Sequence, residues 1–305
     1  MPVRVNLPGP WTHRDLTAGG TRFHVALAGP EAPLRLESTQ AAPEQPLVLL
    51  LHGFPECWWA WRHVIPALAQ AGHRVAAADL RGFGGSDRPP SGYDLSTTTQ
   101  DASRLVRALG YERAVVVGAG YGGQVAWALA SSQPGTVAGI VPVGAPHPLA
   151  VRSLRGRAFS GTALQTTAFR IPHLYERRLS TRAGVERLLR SWAGAAYGDA
   201  VAQGAGYYAE LLARPGAVRC ALETVRRRRL SRAESSTLER RVSVPVLSVQ
   251  GEVDPLQPAQ AYARDTHHVV GTLRQVTIPQ VGHFPAEEAP TQLVDALLPF
   301  LTEVG

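Results

Sequence analysis

Apolar and polar positions follow two different rhythms along the chain, and the change between them divides it. Over residues 11–29 apolar and polar side chains alternate, with Phe23, Val25 and Leu27 on one face and Gly19-Gly20 in the middle, which predicts two antiparallel strands. After a Pro-, Ala- and Glu-containing loop over about 30–45, Pro46–Leu51 is a continuous apolar run, as expected of a strand buried on both faces. An amphipathic helix carrying Trp59, Val64, Ile65 and Leu68 is expected next, then a strand at Val75–Asp79 and a helix near 96–109. A β-branched run ends at Gly118, an Ala-rich helix continues to about 132, and a further strand covers Val137–Val143. This β-α-β-α alternation predicts a doubly wound, mostly parallel sheet.

The rhythm then breaks. From about 148 to 240 only helical periodicity is present, rich in Arg and Ala, with scattered aromatics. Strand alternation resumes at Val244–Gln250 and Thr272–Ile278, and an amphipathic helix covers about 290–302. The simplest account is a core domain of residues 1–147 and 241–305 with a helical cap, 148–240, inserted into it.

Composition narrows the class. The chain has 305 residues, 45% of them hydrophobic, enough for one large α/β domain with an insertion. It has no apolar run of the about 18 residues that span a membrane, and Met-Pro-Val-Arg-Val-Asn is not an apolar leader. With two cysteines, Cys57 and Cys220, giving no disulfide framework, a cytoplasmic protein without a membrane partner is expected. The net charge is +7 and all 31 basic residues are Arg, which together with abundant Ala, Gly and Pro reads as GC-rich coding. The densest run, Arg226–Arg229, is expected on a solvated helix face, and no nucleic-acid motif accompanies it. His267-His268 lacks a second pair of ligands, so neither a metal nor another cofactor is expected. A homodimer is compatible with the sequence.

The chemistry centres on Gly118-Ala119-Gly120-Tyr121-Gly122, a sharp glycine-rich turn between strand and helix. Its spacing is not that of a dinucleotide fingerprint followed by an acidic strand end. It fits G-x-Nuc-x-G, the elbow on which α/β-hydrolases mount a nucleophile, with Gly120 at the nucleophile's position. The elbow forces positive φ on its central residue, at a cost of about 1–3 kcal/mol to Ser or Asp, whereas glycine adopts it freely.

Further motifs stand in a familiar order: His52-Gly53-Phe54-Pro55-Glu56, Asp79-Leu80-Arg81-Gly82-Phe83-Gly84-Gly85-Ser86-Asp87, Ala145-Pro146-His147-Pro148, Gly251-Glu252-Val253-Asp254-Pro255 and Gly282-His283-Phe284. Together with the elbow they resemble the epoxide hydrolase and haloalkane dehalogenase branch of the α/β-hydrolase superfamily over nearly the whole chain. The resemblance implies an α/β-hydrolase fold with a helical lid, Asp254 as the acid, His283 as the base, and the backbone N–H groups of Phe54 and Tyr121 as oxyanion donors. It implies a cis peptide at Phe54-Pro55. The chain departs from the family at Gly120, where an Asp nucleophile is expected, at Ala119, often His, and at the two lid tyrosines, which align loosely with Gln165 and Val225. Tyr175, Tyr207 and Tyr208 remain as lid tyrosines.

Substrate-lining candidates are Trp59, Phe169, Tyr175, Tyr207, Tyr208 and His147; Trp58, Trp61, Phe159, Trp192 and Tyr197 divide between core and pocket. His147, at the start of the lid, suits a cavity or a surface position equally. Cys57 reads as a small apolar residue, Ser86 as a turn hydrogen-bonder, and His52 as orienting its loop. Three functions follow. One is a cofactor-independent enzyme in which His283–Asp254 moves protons on a medium-sized apolar, natural-product-like substrate without a covalent intermediate. Another is an epoxide or ester hydrolase that activates water directly. The third is a ligand-binding pseudoenzyme, with the Asp254–His283 pair a relic that supports packing.

Overall fold

In a computed structural model the described residues are 4–31, 45–152, 168–171, 173–226 and 230–305. The chain opens as an antiparallel pair, β1 (Thr12–Ala18) and β2 (Thr21–Ala28), turning at Gly19-Gly20 as the alternation predicts. β3 (Leu47–Leu51) is buried at every position. The helix expected from Trp59 is broken into a 3-10 turn at Trp58–Trp61 and a short α1 (Ile65–Gln70). Pro66 is the reason: it has no N–H to continue an upstream helix and fits only a first turn. β4 (Val75–Ala78) and α2 (Leu95–Ala108) follow, α2 capped by the Asp94 carboxylate on the Thr97 N–H at 2.9 Å. Next come β5 (Ala114–Ala119), α3 (Tyr121–Ser132) and β6 (Val137–Val143).

Between β6 and the next strand, helices alone form among the described residues. They are α4 (Pro148–Arg152), α5 (Leu174–Leu179), α6 (Arg182–Trp192), α7 (Gly198–Ala202), α8 (Ala205–Leu212), α9 (Ala217–Arg226) and α10 (Arg232–Leu238). The chain then returns to the sheet as β7 (Val246–Gly251), α11 (Ala259–Ala263) and β8 (Leu273–Ile278), and ends in α12 (Pro285–Glu288) and α13 (Pro290–Val304). Phe159 and Gln165 lie outside the described residues, as do most of the loop over 30–45 and residues 227–229. Arg226 is not solvated: half-buried, it pairs with Glu176 at 2.8 Å and donates to the Phe169 carbonyl, fastening α9 to α5.

The eight strands form one sheet in the order β1-β2-β4-β3-β5-β6-β7-β8. β1 and β2 are antiparallel and the rest run parallel from β4 to β8. This is the α/β-hydrolase fold. Registers Leu51↔Gly118 and Ala119↔Val143 set the carboxyl ends of β3, β5 and β6 side by side, the edge at which open parallel sheets bind ligands.

A buried carboxylate ties this edge together. Asp79, just after β4, accepts the Trp58 N–H, the Gly85 N–H and the His24 ring, each at 2.8 Å. Ser86 donates to the Asp79 carbonyl and accepts the His24 N–H, the turn role expected of it. Burial alone would raise the Asp79 carboxyl, but the His24 hydrogen bond and charge outweigh it and hold the group below its ordinary value. Its stabilising contribution is therefore complete above the unfolded carboxylate's value near 4 and is lost as pH falls below it. Asp79→Ala, which leaves the His24 ring and two backbone donors unmatched, is expected to cost about 3–5 kcal/mol in urea unfolding at pH 7. The deficit should shrink on acidification.

Candidate active site

Gly120 sits between β5 and α3 with φ +50° and ψ −109°, a conformation side chains tolerate poorly. The turn is fixed from both sides: the Gly120 N–H donates to the Val143 carbonyl at 2.9 Å, and the Gly120 carbonyl accepts the Gln124 N–H at 3.2 Å. Just after it, Gly122 packs so tightly on β3 that a Cβ would overlap the Leu51 carbonyl oxygen. Position 120 differs. A Cβ there would meet His283 Nε2 at 3.3 Å and Gly53 Cα at 3.7 Å, a close fit without overlap, so position 120 faces the imidazole.

His283 reaches this position from the loop after β8. Its Nδ1 is 2.9 Å from Asp254 Oδ2, and both side chains are buried. Asp254 Oδ1 is held by the Leu256 and Gln257 N–H groups at 2.7 and 3.2 Å, which fixes the carboxylate's rotation. With Nδ1–H donating to Asp254, Nε2 presents its lone pair toward Gly120. The N–H groups of Phe54 and Tyr121 flank the same turn and have no hydrogen-bond partner among the described residues. The Phe54-Pro55 peptide is cis. His52 anchors its loop by bonding the Gly53 carbonyl through Nδ1 and accepting the Leu80 N–H on Nε2, which joins the ends of β3 and β4. Burial lowers its pKa, so the ring is neutral.

The cap contributes an aromatic wall. Trp192 stands edge-on to His283 with centroids 5.8 Å apart, and Phe169 lies 6.1 Å from Trp192 and 5.5 Å from Phe54. Tyr175 packs against Phe169 at 4.5 Å. These residues come together around His283 and Phe54. The remaining substrate-lining candidates are placed elsewhere. Trp59 packs against Trp11 and Tyr207, and the Tyr207 hydroxyl donates to the Val5 carbonyl at 2.7 Å. The Tyr208 hydroxyl donates to Glu287. The Tyr121 hydroxyl turns inward to Thr98 Oγ1 at 3.1 Å, so only its backbone faces the turn. Val225, aligned with a lid tyrosine, is buried in α9.

His147 is neither at a surface nor beside His283. Its ring is fully buried, edge-on to Trp127 and stacked on His268 at 3.8 Å, and its backbone N–H donates to Asp265 Oδ1. Burial pushes its pKa down to about 2 and, on the neighbouring Asp265, up to about 7. Cys57 is buried and its thiol is pushed well up by that burial, in keeping with an apolar packing role. Among the described residues no group of three or more His, Cys, Asp or Glu is placed to hold a metal, and no helix is long and apolar enough to cross a membrane.

Sequence reasoning missed the acidic residues behind the site. Glu288 accepts the N–H groups of Gly194, Gly282 and Phe284 at 2.7–2.8 Å, gripping the His283 loop from below. Glu287 pairs with Arg62 at 2.6 Å as well as with Tyr208. Glu56 is buried beside them, and burial followed by the Glu287 charge raises its pKa well above normal. The signal was present as Glu287-Glu288, two residues beyond Gly282-His283-Phe284.

Comparison with known proteins gives a consistent set of similarities. A family model described as "alpha/beta hydrolase fold" matches residues 46–290. Epoxide hydrolase B of Mycobacterium tuberculosis is 42% identical over 138 residues, 44% of this chain and 35% of that protein, so the match spans about a third of that relative. Epoxide hydrolase A of Mycobacterium tuberculosis is 30% identical over 328 aligned positions, 95% of this chain and 97% of that protein. Cfl2 from Burkholderia cenocepacia superposes with a TM-score of 0.79 at 28% identity, covering 96% of each chain. Epoxide hydrolase CorEH superposes at 0.77 with 25% identity, covering 97% of this chain and 100% of that one.

Two stability measurements test the geometry. Gly120→Ser places a Cβ 3.3 Å from His283 Nε2, close but without overlap, and urea unfolding is expected to show the positive-φ cost of about 1–3 kcal/mol with a small shift of the imidazole. Gly122→Ala, driven into the β3 backbone, is expected to lose more than that. A second test concerns Asp265, whose raised pKa means that its stabilising contribution is complete below the unfolded value near 4 and is lost as pH rises through about 7. Asp265→Asn, neutral at every pH, is expected to match the wild type near pH 4 and to gain on it by up to about 1.4 kcal/mol per pH unit up to pH 7.

Proposed function

The chain belongs to the α/β-hydrolase fold family, in its epoxide hydrolase-like branch, and from that premise we propose a cofactor-independent enzyme that works without a covalent intermediate. In this reading Gly120 occupies the nucleophile's position, and the attacking atom is absent from the protein. The observation that carries it is the convergence on position 120 of His283 Nε2, 3.3 Å from where a Cβ would stand, with two backbone N–H groups that have no hydrogen-bond partner among the described residues.

The chemistry follows from those three groups. A substrate oxygen bound to the N–H groups of Phe54 and Tyr121 gains stabilisation as negative charge develops on it. His283 Nε2 takes a proton from the substrate's adjacent carbon or hydroxyl, and Asp254 stabilises the imidazolium that results. The enolate or phenolate so formed can be reprotonated elsewhere, close a ring, form a C–C bond or expel a leaving group. Phe169, Trp192 and Tyr175 suit a medium-sized apolar substrate. A second reading is favoured by the relatives named epoxide hydrolases: His283 activates water at the same position, and the water attacks an epoxide or ester directly.

His283→Ala is expected to lower turnover by about 100- to 10,000-fold in either reading, and an unchanged rate would remove both. Reaction in ¹⁸O-labelled water separates them, because only the second places solvent oxygen in the product. Gly120→Asp is expected to create hydrolysis of simple epoxides from a silent background if the base and donors are competent. If the wild type already hydrolyses them and the substitution adds nothing, the water-activation reading prevails.

A further inference from the structure

The N-terminal segment carries a hydrogen-bonded chain whose protons can be counted. The Leu7 carbonyl accepts the Trp11 indole N–H at 2.9 Å and lies 2.8 Å from His13 Nε2. His13 Nδ1 lies 3.0 Å from His24 Nε2, the two rings edge to edge with centroids 5.0 Å apart and planes 22° apart. His24 Nδ1 lies 2.8 Å from Asp79 Oδ2. The chain therefore has three links, with four imidazole nitrogens between a carbonyl oxygen and a carboxylate.

Both ends accept. A carbonyl has no proton to give. The Asp79 oxygens already face the N–H groups of Trp58 and Gly85, which favour the ionised form, and the carboxyl is held below its ordinary value by His24 against the effect of burial. Each link needs one proton, so the chain needs three, whereas two neutral imidazoles supply two. We infer that the His13–His24 pair holds one proton more than two neutral rings, and that this proton latches the N-terminal segment onto the β1–β2 hairpin.

Burial lowers the pKa of half-buried His13, against the opposing Leu7 carbonyl bond, and the His24 charge lowers it further. The Asp79 carboxylate stands 2.8 Å from His24 Nδ1, which sets the extra proton on the His24 side of the pair and leaves His13 as the neutral Nε2–H tautomer. The other groups facing this chain do not supply the missing proton. His52 is neutral and committed to Gly53 and Leu80, the Cys57 thiol and Tyr207 hydroxyl are kept protonated by burial, and the Arg214 guanidinium is bonded to the Gly84 carbonyl. Trp58 seals the rings from the side.

The segment has a second attachment. The Val5 carbonyl accepts the Tyr207 hydroxyl of α8, so the residues held by the latch also strap a cap helix to the sheet domain. When rising pH removes the third proton, two neutral rings cannot satisfy three links, and either Leu7 or His24 must face His13 lone pair to lone pair. The strap then loses one of its two ends.

The test is long-range ¹H–¹⁵N NMR on the full-length protein with ¹⁵N-labelled histidine, run across a pH series. At pH 7 three of the pair's four ring nitrogens are expected to carry protons, both of His24 and Nε2 of His13. A count of two or of four overturns the inference. On the same samples, steady-state ¹⁵N–¹H NOE values for Val5, Asn6 and Leu7 are expected to fall in the pH step that removes the third proton. Values that stay flat through that step overturn the latch.

Discussion

The close approach of α3 to the end of β3 is the constraint on which the rest of this site depends. Without a side chain at Gly122, the first turn of the helix rests directly on the Leu51 carbonyl, and that contact pulls the chain through the positive-φ bend at Gly120. The bend aims position 120 outward between the loops that follow β3 and β8. It also leaves the Tyr121 N–H free at the start of the helix, where a helix has donors to spare. One steric contact thus sets the direction of the turn, the location of the Tyr121 N–H and the separation from His283. The arrangement does not need a reactive side chain at 120 to exist.

Around this turn the acidic residues act as scaffolding. Asp254, Glu288 and Asp79 each receive two or three hydrogen bonds that hold a loop at the sheet's carboxyl edge. A buried carboxylate that collects backbone donors fixes loops that carry no regular structure of their own. His283 is located by two such groups: Asp254 through its ring and Glu288 through its flanking N–H groups. Its orientation is set by the core while its surroundings, Trp192 and Phe169, come from the cap.

The sheet was legible because strands buried on both faces leave an unmistakable signal: Leu47–Leu51 and Val137–Val143 contain no charged residue. The pairing of Asp254 with His283 was legible from motif order, although a span of 29 residues separates them. Side-chain placement in the cap was not. Tyr207 and Tyr208 are neighbours in sequence on a helix, and consecutive helical positions diverge, so one hydroxyl reaches Val5 and the other Glu287. His147 misled for a different reason, since its stacking partner His268 lies 121 positions away by number and nothing local announces it. The Glu56–Glu287–Arg62–Tyr208 cluster is likewise a product of tertiary packing, assembled from three distant stretches.

The contact between the cap and the His283 loop is made through backbone. The His283 N–H donates to the Trp192 carbonyl at 2.8 Å, Glu288 bridges Gly194 and Gly282, and a Cβ on either glycine would overlap the opposite strand of chain. The end of α6 is therefore a structural part of the His283 loop. This makes the cap a poor candidate for a transplantable module: exchanging the whole insertion between relatives would also exchange the peptide on which the imidazole hangs. The side chains of Phe169 and Tyr175 can accordingly change with less disturbance to this loop than a wholesale graft, unless the graft carries its own counterpart of the Trp192–Gly194 backbone.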